Sequence, residues 1–441
     1  MSKCITNEVI TTLKHKISKA LTLSKENDFI VDSNKNFTRS SKIGLTKTVN
    51  ILMNLKPTSL KYEMMCYFKD KDISLSPGGF VQARRKIKPE LFKDIFNRFN
   101  SSYKCERKFK GYRLLAIDGS DINIPYDPKD LNTLHGGRTK NDSSSASSYS
   151  QFHLNGMYDC SNSRFLDCII QGAKDSDEID AMMKMAEEYD GEPSIFTADR
   201  GYESMNLFEH LSKLKDHRYL IRVKDITSKV SLFKDLNLDL DSNEFDRDVS
   251  FTLTNYNKAI YRKDKNYKVI QKTQKFDYLD DDNHFYDVKW RLVRFEVEEG
   301  KYELIITNLE RDKFNSEDIK YIYKERWRIE TAYDYLKNDL NLEHFLSRKR
   351  EYIKQEIWIK LILYNLSTVI CEKLEKRREN KTKRKYEYKI NCSFAIMLIF
   401  DAFIISIRKG GFPPNLDLMI NRELSPIREG RSFPRIKRSH K

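Results

Sequence analysis

The sequence lacks three things: an apolar run of bilayer length, a C-x-x-C pair and an internal repeat. The most apolar stretch is "FAIMLIFDAFIISI", residues 394–407. It falls short of the ~20 residues a membrane span needs, and Asp401 interrupts it. A buried core helix is expected there. The seven cysteines (Cys4, Cys66, Cys105, Cys160, Cys168, Cys371 and Cys392) are odd in number. With no C-x-x-C spacing they argue against a zinc ribbon and against a secreted disulfide scaffold, and for a reducing cytosol. The opening "MSKCITNEVITTLKHKISKAL" has no uninterrupted apolar core of the signal-peptide kind. A soluble, intracellular protein without a membrane partner is the expectation.

What is present points to a polyanion. The 441 residues suggest two to four domains. Hydrophobic residues at 39% and aromatics at 12% are enough to build cores. Eighty Lys and Arg stand against 65 Asp and Glu, a formal charge of +15. Such an excess suits nucleic acid, although ribosome-associated and membrane-surface proteins share it.

Along the chain, residues 1–100 read as a helical, basic region suited to DNA binding. In "FVQARRKIKPELFKDIFNRFN", Ile87, Leu91, Ile95 and Phe99 form one apolar stripe, with a break expected before Pro89. Arg84, Arg85 and Lys86 read equally as a solvated face or as phosphate contacts. From about 112 the pattern turns to strands: "YRLLAIDGSDINIP", then "QFHLNGMYDC" and "RFLDCIIQGA" around an "SNS" turn. "DEIDAMMKMAEEYD" is an amphipathic helix whose acidic start complements the helix dipole. "SIFTADRGY", "ESMNLFEHLSKLK" and "RYLIRVK" continue as strand, helix, strand. Three strands followed by helix, strand, helix, strand make an α/β layer fold. The Ser- and Gly-rich "TLHGGRTKNDSSSASSYS" reads as a surface loop. Residues 226–305 alternate apolar and polar side chains, as in an antiparallel β region. Helices resume at 306–375, and 376–441 form a basic C-terminal region suited to gripping DNA backbone.

Phosphodiester chemistry needs a nucleophilic oxygen, a stabilised leaving oxygen and neutralised phosphate charge, and two divalent ions supply all three. Mg2+ takes oxygen ligands, so about three convergent carboxylates are required. Asp118, in "LLAIDGSD", stands at the end of an apolar strand, where the bland reading is a turn former before Gly119. Asp121 is its rival, and the strand–turn context favours Asp118. Asp199, in "SIFTADRGY", also follows an apolar strand, at the sheet edge where ligands of α/β proteins collect. Its bland reading is a helix N-cap.

The third carboxylate comes from "YIYKERWRIETAYDYLKNDL", residues 321–340. With Tyr323 at zero on a single helix, Arg326 falls at about 300°, Glu330 at about 340° and Lys337 at about 320°. These four polar residues share a narrow stripe along the rim of an apolar face. An Arg326–Glu330 ion pair alone leaves Tyr323 and Lys337 unexplained. Asp334, at about 20°, competes with Glu330 as a ligand.

These residues resemble the YREK signature of DDE transposases of the insertion-sequence-four type: Tyr, two residues, Arg, three residues, Glu, six residues, Lys. Tyr323, Arg326, Glu330 and Lys337 fill the four places. "IDGSDINIP" resembles the family's first Asp motif, giving Asp118. "ADRGYES" resembles its second, giving Asp199 with Arg200 and Gly201 alongside. "FVQARRKIKPELF", "LIITNL" and the tail "IREGRSFPR" are similar to other stretches of the family. The likeness runs from about 75 to the end.

The resemblance implies a ribonuclease H-like mixed sheet flanked by helices, with a β-rich insertion and helical N- and C-terminal regions. Residues 101–225 would be the first part of the catalytic core, 226–305 the insertion, and 306–375 the final part with the signature helix. It implies that Asp118, Asp199 and Glu330 bind two Mg2+ ions, with Mn2+ as a substitute. Tyr323, Arg326, Lys337 and Arg200 would hold DNA. Water first attacks at the transposon ends, and the freed 3′-hydroxyls then attack target DNA. The partner is double-stranded DNA, transposon ends and target, bound by a homodimer in a synaptic complex. The place is a prokaryotic cytoplasm, at the nucleoid. Trp290 is either core or a stacking platform for a flipped base, and core is favoured. Two other readings remain: a transposase-derived DNA-binding protein that no longer cuts, and a nuclease on the same fold.

Overall fold

In the computed structural model the described residues are 4–39, 41–69, 75–135, 148–233, 243–378 and 386–428. Most of the tail motif 427–435, most of the basic tail and most of the Ser-rich loop lie outside them.

The N-terminal helices are α1 (Ile5–Thr22), α2 (Leu45–Met53), α3 (Leu60–Phe68), α4 (Pro77–Arg84) and α5 (Glu90–Asn100). Then come β1 (Arg113–Ile124), β2 (Leu134–His135), β3 (Tyr149–Asp159), β4 (Arg164–Gly172), α6 (Glu178–Glu187), β5 (Ser194–Ala198), a 3-10 turn (Arg200–Tyr202), α7 (Met205–Ser212) and β6 (His217–Val223). They are followed by β7 (Phe245–Thr254), α8 (Ala259–Lys263), β8 (Tyr267–Val269), β9 (Phe285–Glu298) and β10 (Lys301–Thr307). The C-terminal elements are α9 (Ser316–Glu325), α10 (Trp327–Asn338), α11 (Arg350–Arg377), β11 (Tyr388–Ile390), α12 (Cys392–Lys409), α13 (Leu416–Arg422) and β12 (Leu424–Pro426). The chain divides into two compact units, Tyr103–Asp334 and Met1–Ser102 with Tyr335–Lys441.

The first of these units is built on one ten-stranded mixed sheet, in the order β2-β3-β1-β5-β6-β10-β9-β7-β8, with β4 paired to β3. Within it, β4-β3-β1 are antiparallel and β1-β5-β6 parallel. That is the strand order and direction of a ribonuclease H-like sheet, and helices α6 and α7 flank it. The alternating stretch inside 226–305 does form strands, antiparallel for β7, β9 and β10, whereas β8 pairs parallel to β7. They continue the same sheet, because β10 pairs with β6 and β9 with β10 and β7. Trp290 on β9 is 2% exposed, packs edge-on against Phe208 and Phe251, and donates Nε1–H to Glu209 Oε1 at 2.7 Å. A buried, hydrogen-bonded indole of this kind is core.

The helical unit is centred on α11, buried on almost every side between Tyr352 and Leu374. Helices α1, α5 and α12 pack on it. The first turn of α1 has orphan N–H groups, and Asp417 of α13 accepts from Ile5 N at 2.6 Å and Thr6 N at 3.0 Å. Helix α12 differs from the expected buried helix. One face is core, but Met397 is exposed, and Asp401 faces outward to pair with Lys56 at 2.8 Å. No helix among the described residues is long and apolar enough to cross a membrane.

The expected stripe before the catalytic region also changes. Helix α4 ends at Arg84 and α5 starts after Pro89, so Ile87 is off the helix, in a lone bridge to Ile30. Arg84 is neither solvated nor available to phosphate: it is 2% exposed. Its guanidinium donates to Gln355 Oε1 (2.8 Å), Ser347 Oγ (2.7 Å) and the Tyr352 carbonyl (2.6 Å), and lies 3.0 Å from Glu356. Truncating one member of a buried ion pair strands the other. Arg84→Ala should therefore lower the unfolding free energy by about 3–5 kcal/mol. Denaturant titration of the purified chain checks this, and a loss below about 1 kcal/mol contradicts it.

Candidate active site

Two adjacent parallel strands set the first two carboxylates. The last registered pair of β1 and β5 is Ala116 with Thr197. Two residues further along stand Asp118, still within β1, and Asp199, just past the end of β5. β5 stops at Ala198, whereas β1 runs on to Ile124 against β3. Asp118 is thus mid-strand, opposite Gly156, and not in a turn at a strand's end. Its neighbour Gly119 carries the strand onward. Asp199 is the N-cap of the 3-10 turn and accepts from Gly201 N at 2.7 Å. Capping and carboxylate supply coexist in it, since one oxygen suffices for the cap.

The expected single helix over 321–340 is two helices. α9 ends at Glu325 and α10 begins at Trp327, with Arg326 between them in a helical conformation. Three-residue hydrogen bonds replace the four-residue ladder there, Arg326 N to Tyr323 O and Ile329 N to Arg326 O. The angular count from Tyr323 therefore does not hold strictly across the joint. Tyr323, Arg326 and Glu330 nevertheless meet. The guanidinium of Arg326 lies 5.6 Å from the Tyr323 ring and donates to Glu330 Oε1 at 2.9 Å. Both Tyr323 and Arg326 are buried, and Arg326 Nε has no hydrogen-bond partner among the described residues. Lys337 is in the last turn of α10, within the helical unit, 3.8 Å from Glu343. Asp334 and Arg200 are exposed.

Electrostatics binds this cluster together. Burial pushes the Asp118 carboxyl up to about 7. Arg326 pulls the other way, while Asp199, Glu330 and Glu178 add to the rise. Asp118 thus feels three further carboxylates and one buried guanidinium. That excess fits a divalent cation with oxygen preference. Among the described residues no group of three or more His, Cys, Asp or Glu side chains could hold a metal ion as placed. A Mg2+ site here would need the carboxylates to converge further, with waters and substrate oxygens completing the shell.

Two parts of this site escaped the sequence reading. The first is Glu178, the opening residue of α6, whose acidic start looked like a plain dipole complement. The second is Tyr333 of α10. Its hydroxyl is shared between the carbonyls of Asp118 (2.9 Å) and Leu154 (3.0 Å). A Cβ at Gly156 would come within 2.6 Å of that hydroxyl. The missing side chain of Gly156 therefore lets α10 seat against the strand that carries Asp118. No one-dimensional signal marks this contact beyond a glycine inside a strand.

A profile of the Transposase DDE domain family matches residues 109–366, more than half of the chain. The chain belongs to this family. The match takes in Asp118, Asp199 and Glu330. No curated protein matches the chain at a significant level. Among solved structures it is similar to a piggyBac transposase in a synaptic complex with hairpin DNA, seen by cryo-EM. The identity is 11% and the TM-score 0.43, over 97% of this chain and 84% of that one.

Removing only the shared hydroxyl tests the seat of α10 in this transposase domain. Tyr333→Phe keeps the ring against Phe165 and should cost about 1–3 kcal/mol of stability. Gly156→Ala should cost more, because the new methyl meets the hydroxyl. Thermal and denaturant unfolding of both variants decide the point: equal stability of Tyr333→Phe and wild type contradicts it.

Proposed function

We propose that this chain is the transposase of an insertion sequence, of the insertion-sequence-four type. It binds the terminal inverted repeats, cleaves DNA at the element ends and joins the 3′-hydroxyls to target DNA. The observation that carries this reading is the meeting of Asp118, Asp199, Glu330 and Arg326 beside the open edge of β1, within a DDE domain. Asp118, Asp199 and Glu330 are the ligands for two Mg2+ ions, for which Mn2+ can substitute. Bound there, the ions activate the attacking oxygen and neutralise the phosphate.

The chain's own residues do the rest. Asp118 and Asp199 are fixed by neighbouring strands, so their spacing is set by the sheet and not by flexible loops. Arg326 links two roles through one bond. Its 2.9 Å contact with Glu330 must open for Glu330 to turn to metal and for the guanidinium to reach phosphate. Its unpartnered Nε is a donor suited to a phosphate oxygen. Tyr323, Lys337 and Arg200 complete the DNA contacts. Residues 1–100 and 376–441 add basic surface for the ends, and a homodimer holds two ends in the synaptic complex. The protein works at the nucleoid of a prokaryotic cytoplasm.

Two other readings make different predictions. A DNA-binding protein derived from a transposase would bind ends and not cut them, yet all three carboxylates are present. A nuclease on the same fold would cut without joining, and it has no need of the Tyr323–Arg326–Glu330–Lys337 set.

Asp118→Ala, Asp199→Ala and Glu330→Ala should each abolish Mg2+-dependent end cleavage and leave end binding near wild type. Cleavage and gel-shift assays on a labelled end read both. If Glu330→Ala still cuts and Asp334→Ala does not, the third ligand is misassigned. Lys337→Ala should weaken end binding and lower the slope of log affinity against log salt by roughly 1. An unchanged slope removes Lys337 from the phosphate contacts.

A further inference from the structure

The helical unit brings two thiols together. Cys371 lies in the buried stretch of α11, and Cys392 is the first residue of α12. The local framework fixes the second against the first. Asn391 N donates to the Glu423 carbonyl at 2.9 Å, and Ile390 pairs with Leu424 in the β11–β12 ladder. On the other side, Ile390 N donates to Glu375 Oε1 and Arg378 donates to the Tyr388 carbonyl. Glu375 stands one turn beyond Cys371 on the same face of α11. The chain is therefore stitched to α11 next to Cys371, two positions before Cys392. From there α12 packs on α11.

The two sulfurs are in hydrogen-bond contact, with Cys371 as donor and Cys392 as acceptor. The Tyr335 hydroxyl is a second donor to Cys392. As a donor Cys392 makes a long approach, 3.8 Å, to the Ile390 carbonyl. These surroundings suit a thiolate. The Cys371 hydrogen bond holds the Cys392 thiol below its ordinary range, with help from Lys389 and Tyr335 and against burial and Glu375. The start of an 18-residue helix without an acidic residue in its first turn acts in the same direction. Cys371 is pushed up by the same bond and by its burial. Burial also pushes up the thiols of Cys4, Cys105 and Cys160. Cys392 is half-buried, within reach of a small solute, while Cys371 is 8% exposed.

We propose that Cys392 and Cys371 form a peroxide-reactive thiol pair, in which Cys392 is the attacking sulfur and Cys371 the resolving one. The Cys392 thiolate attacks one oxygen of hydrogen peroxide, the O–O bond breaks, and hydroxide leaves and takes up the proton the thiol had released. Cys392 is then a sulfenic acid and no longer an anion that keeps its neighbour protonated. The Cys371 sulfur attacks the Cys392 sulfur, the S–O bond breaks, and the leaving hydroxide carries off the Cys371 proton as water. The two thiols have lost two hydrogens and two electrons, and the peroxide has become two waters. A dithiol reductant reverses the change by exchange. The pair lies apart from the carboxylate cluster and does not depend on the transposase reading. The cross-link ties the start of α12 to the central helix of its unit.

The test treats the full chain with near-equimolar hydrogen peroxide. Remaining thiols are then blocked with N-ethylmaleimide under denaturing conditions, and an unreduced digest is mapped by mass spectrometry. The wild-type chain should yield a Cys371–Cys392 cross-link that dithiothreitol removes. Cys392→Ser should slow peroxide consumption on the order of 10-fold. Cys371→Ala should yield no cross-link, and dimedone should instead trap a sulfenic acid at Cys392. Oxidation of Cys66 or Cys105 as fast as that of Cys392 overturns the proposal, because exposure alone then governs reactivity. Oxidation of Cys392 with Cys371 left reduced also overturns it, because the two sulfurs then do not meet. Both of these outcomes are read in the wild-type chain, so they stand even where a core variant fails to fold.

Discussion

Everything in the candidate site depends on one unfavourable placement: a half-buried carboxylate in the middle of a strand, directly after its core residues Leu114–Ile117. Asp118 is largely removed from water and surrounded by three further carboxylates, with Arg326 as the main offset. Burial of a charge on these terms is tolerated only where something else compensates. In the free chain Arg326 does part of this, and its own burial is compensated by Glu330, Tyr323 and Asp118. The guanidinium and the carboxylates thus hold each other in place. A structural ion pair would end there with its charges balanced. This cluster is left with excess negative charge, which is the condition for binding a cation.

The alternation of a β-strand explains how so many groups reach one point. Asp118 and Gly119 are successive residues, so their side-chain positions lie on opposite faces of the sheet. On the Asp118 face, Gly156 leaves a gap that the Tyr333 hydroxyl enters, and α10 brings Glu330 with it. On the other face, Gly119 leaves a gap for the Glu178–His153 pair, and α6 brings it. β5 ends at Ala198, directly before Asp199, and β1 runs on past it to Ile124. The position of the site is therefore decided by where β5 stops and by which residues of β1 and β3 are glycine.

Much of this was legible in one dimension, and the limits are physical. The succession β1, β3, β4, α6, β5, α7, β6 follows from hydrophobic period and from turn residues, both local properties. Asp118 and Asp199 stood out because carboxylates are unfavourable beside apolar strand residues, whatever the tertiary context. The joint at Arg326 was not legible, since Arg326 is helical in conformation and only the hydrogen-bond ladder shifts. Arg84 was read as surface because a triple-basic run is usually solvated; its partners Gln355 and Glu356 are far away in sequence. Strands β7 to β10 were recognisable as strands, but a pairing such as β10 with β6 leaves no mark in either strand's sequence. Glu178 was hidden because a helix N-terminus explains an acidic residue without any further role.

The two sides of the centre also differ in how firmly they are held, and this bears on function. The Asp118 face is tied by neutral hydrogen bonds from one tyrosine to two strand carbonyls, which do not change with charge. The Gly119 face is tied by the His153 imidazole between the carboxylates of Asp121 and Glu178, which does. Glu330 sits between these cases, on a helix seated by Tyr333 but with its own carboxylate given to Arg326. Of the four carboxylates, two are therefore placed by the strands and two are engaged with positive partners, Glu330 with Arg326 and Glu178 with His153. The sheet fixes where Asp118 and Asp199 stand, and the two cationic side chains fix where Glu330 and Glu178 stand.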